Sequence, residues 1–119
     1  MGVANVTNKI TENNVKRDIL QLLNCYQPYV FMWRQNNQGT YNRKKNSYFF
    51  TGMAGVPDII GFTNTGKFIG IEVKRPGGVQ SDNQIIFEKN CKAFGGIYVL
   101  ADNIDKVIPI LDKIKRGDV

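Results

Sequence analysis

Apolar positions Val15, Ile19, Leu22 and Leu23 recur at helical spacing and predict a helix from Glu12 to about Asn24, capped by Thr11. Pro28 lies just past it as a breaker. Between Tyr29 and Arg34 the period falls to two: Tyr29, Phe31 and Trp33 alternate with Val30, Met32 and Arg34, which predicts a strand. Residues 35–47, QNNQGTYNRKKNS, read as a polar basic loop, and 48–51 as a short strand extension. Two strands follow, 56–62 and 67–75, joined into a hairpin by the Asn64-Thr65-Gly66 turn signal. Pro76-Gly77-Gly78 ends the second. Ser81 and Gln84 form an S-x-x-Q capping box that opens a helix to about Phe94, and Gly95-Gly96 stops it. An apolar strand, 97–101, is followed by a helix from about Ile104 to Lys115, in which Pro109 marks a kink or a shortening. The order is α-β-β-β-α-β-α. The strands on either side of the second helix can lie parallel through a right-handed crossover, and the hairpin makes the rest antiparallel. The expected fold is α/β, a mixed sheet flanked by helices.

Length and composition narrow this further. A chain of 119 residues with 42% hydrophobic content suits one domain, 1–119, with one core. No apolar run approaches the roughly 20 residues a membrane helix needs, and MGVANVTNKITENN lacks the apolar stretch of a signal peptide. The expected location is cytoplasmic. Cys25 and Cys91 have no metal-ligand spacing and read as buried free thiols. Histidine is absent, which excludes His-based triads, HExxH zinc sites and imidazole general bases. Hydrolysis by this chain must therefore run on carboxylates, lysine and a hard metal.

The net charge of +6 suits a polyanionic partner, and its distribution says more than its size. From Ile19 to Pro57 there is no acidic residue. The same stretch holds Arg34, Arg43, Lys44 and Lys45, and eight of the thirteen aromatics. A run such as Arg43-Lys44-Lys45 usually serves solubility; with Tyr41 and Tyr48 beside it and no acid near, it points to nucleic-acid contact. Arg34 ends its strand where the loop begins, as a solvated residue or a phosphate ligand.

The chemistry concentrates in GVPDII, 55–60, and IEVKRP, 71–76. Asp58 stands at the mouth of an apolar strand, where a carboxylate needs a cation or hydrogen-bond donors. Glu72 and Lys74, two apart on a strand, leave the same face, and Val73 faces away. E-x-K alone also describes any solvent-facing strand edge; linked to P-D across a short hairpin it becomes specific. Asp58, Glu72 and the Val73 backbone carbonyl can bind Mg²⁺, with Lys74 beside them to hold the attacking water or offset charge on the transition state. Glu12 and Gln84 lie in the first turns of their helices, on the apolar stripes. Ordinary roles exist for both, a helix-dipole acid and a capping-box amide. The functional roles are a further acid reaching the metal directly or through water, and an amide orienting Lys74, a phosphate or the water. Arg75 directly follows and can clamp a phosphate.

At these residues the chain resembles the PD-(D/E)xK nuclease superfamily, and within it the VRR-NUC family in its compact, stand-alone form. The resemblance spans roughly residues 12–102: Glu12, Arg34 with Asn36-Asn37 and Gly39, GVPDII, IGIEVKRPGG, the SDNQ helix start, Gly95-Gly96 and the strand after it. It implies a restriction-endonuclease-like fold and metal-dependent DNA cleavage. Mg²⁺ is the expected ion, with Mn²⁺ able to substitute. Asp58, Glu72, the Val73 carbonyl and Glu12 are the implied ligands, with Lys74 as catalytic lysine and Gln84 as accessory. Similar stand-alone members resemble Holliday-junction resolvases, homodimers on branched DNA, and the small size hints at a phage-like origin. A restriction-type or general duplex nuclease and a non-catalytic nucleic-acid-binding module are the alternatives. The long basic loop after Arg34 departs from the family pattern.

Overall fold

The computed structural model describes residues 9–35, 40–42, 47–49 and 52–119. Helix α1 runs Glu12–Asn24, with Thr11 and Asn14 satisfying each other's backbone in a reciprocal cap. Strand β1, Val30–Arg34, leads to a small ribbon in which β2, Thr40–Asn42, pairs antiparallel with β3, Ser47–Phe49. The stretch read as a loop thus contains paired backbone at Thr40–Asn42 and Ser47. Thr and Tyr favour extended backbone, but the segments are short and sit in a polar, basic stretch.

Strands β4, Ile59–Thr63, and β5, Phe68–Val73, form the expected antiparallel hairpin, with Ile59 opposite Ile71. Helix α2, Asp82–Ala93, carries the chain to β6, Ile97–Ala101, which pairs parallel with β5. The main sheet has the order β1-β4-β5-β6 and is mixed. The last helical segment differs from expectation. A 3₁₀ turn, Ile104–Lys106, precedes helix α3, Ile108–Arg116, and Pro109 lies in the first turn of α3. There its missing N–H has no partner to lose and its fixed φ suits the helix, so it starts α3 instead of kinking it.

Strand parity sorts the side chains into two layers. Ile69, Ile71 and Val73 of β5 are fully buried in the core with Val15, Ile19 and Leu23 of α1 and Leu111 and Ile114 of α3. Tyr26 Oη donates to Asp112 at 2.6 Å and ties the exit of α1 to α3. The opposite face carries Phe68, Gly70 and Glu72. There α2 covers β5 and β6 through tilted ring contacts of Phe87 with Phe68 and Tyr98. Helix α2 is shallowly seated: Cys91 is its one buried residue, and Ile86 and Phe94 are exposed. On the same sheet face, Phe31, Trp33 and Phe62 of β1 and β4 form an exposed aromatic cluster, with ring centres 5.5 and 6.2 Å apart. Cys91 is a buried free thiol, whereas Cys25 is exposed, contrary to expectation, because it caps the C-terminal end of α1.

Candidate active site

Antiparallel β4 and β5 bring the start of one beside the end of the other, and the hairpin sets the candidate site at that end of the sheet. Asp58 immediately precedes β4 and Lys74 immediately follows β5. Local sterics fix Asp58. Gly70 has no side chain, and Pro57 is packed fully buried into that space; a Cβ on Gly70 would stand 2.8 Å from Pro57 Cγ. Gly55 has φ +84° and lies against the Asn83 carbonyl, so the chain crosses the start of α2 before turning into Asp58. The Val73 N–H donates to Asp58 Oδ2 at 2.9 Å, and the Gln35 N–H donates to the Asp58 carbonyl at 2.7 Å. One carboxylate is thereby pinned by the strands on either side of it.

Glu72 is 2% exposed, on the face covered by α2. Its Oε1 accepts from Gln84 Nε2 at 2.9 Å and lies 3.9 Å from Lys74 Nζ. Its Oε2 is buried and has no hydrogen-bond partner among the described residues. Burial, and then the neighbouring Asp58 carboxylate, pushes the Glu72 carboxyl up from 4.5 to about 8; Lys74 opposes this and Glu12 adds to it. A carboxylate in that position is unfavourable unless a cation or a proton reaches it.

The Gln84 amide is engaged at both ends. Its Oε1 accepts from the Ser81 N–H at 2.8 Å, completing the capping box of α2, while its Nε2 holds Glu72. The capping reading of Gln84 is thus realised, and the other end of the same amide contacts Glu72, whereas the sequence reading has it orient Lys74, a phosphate or the water. Glu12 acts on Glu72 through its charge. Among the described residues, no three acidic or sulfur side chains form a group that could hold an ion. Arg34 ends β1 at the same end of the sheet, paired with Ile59. Arg75 is exposed at the head of a turn: the Gly78 N–H donates to its carbonyl at 2.9 Å, with Pro76 and Gly77 (φ +83°) between them, the residues a type II turn demands. Arg43, Lys44 and Lys45 lie outside the described residues.

Sequence reasoning missed Lys16. Its Nζ lies 3.5 Å from Asp58 Oδ1, and its side chain is 13% exposed. The available signal was its i,i+4 relation to Glu12, which places both on one side of α1.

A scan of protein-family models matches the VRR-NUC domain over residues 10–102. The chain belongs to the VRR-NUC family. The family is one of PD-(D/E)xK nucleases, and the mixed four-stranded sheet with its flanking helices is the corresponding restriction-endonuclease-like fold. The match begins before Glu12 and ends just after β6, so it spans every candidate site residue described above. A search of curated proteins returned no match. No helix among the described residues is long and apolar enough to cross a membrane.

Proposed function

We propose that this VRR-NUC nuclease is a divalent-metal-dependent endonuclease acting on branched DNA, as a single domain over residues 1–119. The observation that carries metal dependence is the Asp58–Glu72 pair with the orphaned, buried Glu72 Oε2. A hard cation held there would satisfy that oxygen and offset the repulsion between the two carboxylates. Asp58, Glu72 and the Val73 carbonyl are the residues that would hold it, with Glu12 acting through water; oxygen donors of this kind suit Mg²⁺, and Mn²⁺ by substitution. When bound, such an ion supplies Lewis-acid polarisation of a phosphoryl oxygen and lowers the pKa of water.

The chain's own groups do the rest. Gln84 fixes the Glu72 carboxylate in one orientation. Lys74, held near Glu72, presents an ammonium where charge grows on the phosphoryl group and where attacking water is oriented. Arg34 and Arg75 engage backbone phosphates, and Arg43, Lys44 and Lys45 extend that surface. Asp58→Ala or Lys74→Ala should abolish cleavage while DNA binding survives. Undiminished cleavage by either variant would refute the site.

Branched DNA as substrate, and the two-fold pairing that suits matched nicks in a four-way junction, rest on the family resemblance. The surface best suited to receive a second copy is the exposed Phe31–Trp33–Phe62 face, which α2 leaves bare. Four-way, flap and linear substrates assayed side by side test the preference; equal cutting of linear duplex favours the general-duplex reading. A cytoplasmic setting, in a phage-infected host or otherwise, supplies both DNA and Mg²⁺.

A further inference from the structure

Beside the carboxylates, on the α1 side of the sheet, lies an open pocket of about 400 Å³. Three cations line it, Lys16, Arg17 and Arg34, together with the amides of Asn13, Gln21 and Asn24. The volume falls within the roughly 300–1,000 Å³ of ligand clefts. Among the described residues no acidic side chain lines the pocket, which is formed along α1 and closed by the last residue of β1. Arg17 has one ion-pair partner, the adjacent Asp18 at 3.4 Å, with both side chains more than half exposed. Pairs of that kind contribute little and exchange readily. Arg34 makes no ion pair among the described residues. The pocket therefore presents guanidinium forks whose charge is not already neutralised, set among amide donors, a combination that fits phosphate oxygens.

Lys16 joins this pocket to the site. It lines the pocket and its ammonium reaches Asp58 at 3.5 Å. A DNA strand with its scissile phosphate at the carboxylates would run on toward the pocket that Lys16, Arg17 and Arg34 line. We infer that the α1–β1 pocket is a subsite for a backbone phosphate adjacent to the scissile one, with Arg17 and Arg34 as its ligands and Lys16 shared between the subsite and the Asp58 carboxylate. The inference rests on the nuclease reading for the identity of the ligand as DNA. Arg17 is not among the residues that the sequence marks for DNA contact, and it supplies the specific test.

The experiment measures binding of a short DNA duplex in EDTA by fluorescence anisotropy, and steady-state cleavage with Mg²⁺, for wild type, Arg17→Gln, Arg34→Gln and, as a control at an exposed residue of α3 outside the pocket, Lys113→Gln. Each arginine variant is expected to raise Kd and KM about tenfold, with kcat within about twofold of wild type. Its salt dependence should be shallower by about one counterion per arginine removed. Lys113→Gln should leave Kd unchanged. Wild-type Kd, KM and salt slope in Arg17→Gln would overturn the subsite while leaving the nuclease standing. Weakened binding by the variants of a wild type that does not cut would uphold the phosphate subsite and overturn the nuclease. A fall in kcat with KM unchanged would also overturn the subsite, because it would place Arg17 in the chemistry instead of in binding.

Discussion

Lys16 and Glu72 carry opposite lessons about single residues. The ammonium of Lys16 lies 3.5 Å from Asp58 Oδ1 and opposes any cation placed there. Lys16→Met should therefore tighten Mn²⁺ binding in the absence of DNA by about three- to tenfold, measured by calorimetric titration. Glu72 makes that binding depend on pH. Its carboxyl is protonated up to about 8 in the folded protein, against 4.5 ordinarily, so a cation must displace a proton below pH 8. Apparent affinity should weaken by about tenfold per pH unit from 8 down to 6, and Glu72→Gln should remove that slope. The folded pKa is raised, so the metal-free protein is stabilised by the protonated form below about 4.5 and loses that contribution as pH rises through 8. Glu72→Gln should flatten this part of the thermal-melting profile. Asp58, Glu72 and Gln84 were legible in the sequence because strand parity and the capping box each fix a direction. Lys16 was not, because a lysine beside an apolar stripe is ordinarily solvated and only the docking of α1 across the sheet end turns it inward.

At the scale of elements, the hairpin and the loop before it act together. Gly70→Val should force Pro57 out of its seat and loosen the Val73–Asp58 bond. The expected loss is about 1–3 kcal/mol of stability, with kcat reduced even for the folded fraction. Leu111→Ala, in the core far from the carboxylates, should cost about 2–5 kcal/mol and leave kcat per folded molecule unchanged. Denaturant melts paired with active-site titration separate the two outcomes. The helices and the four strands of the main sheet were legible because each has a clear period and a chemical stop. The ribbon of β2 and β3 was hidden because its pairing runs between short segments inside a polar, basic stretch. The break before α3 was hidden because a proline in a first turn and a proline in mid-helix look alike until the start of the helix is known.

Across the whole molecule, the two sheet faces are unequally covered. Helices α1 and α3 seal one face, whereas α2 shields half of the other and leaves Phe31, Trp33 and Phe62 exposed. On the proposed pairing through that face, Trp33→Glu should yield single chains in sedimentation velocity, with the proposed paired nicking of a four-way junction reduced to independent nicks. The unequal covering has one more result. The clamp on Glu72 comes from the first turn of α2, the helix with the fewest anchors, so the grip on that carboxylate lasts only while this turn stays wound. Warming should accordingly silence turnover some degrees before the fold as a whole gives way, and cooling should revive it without any refolding step.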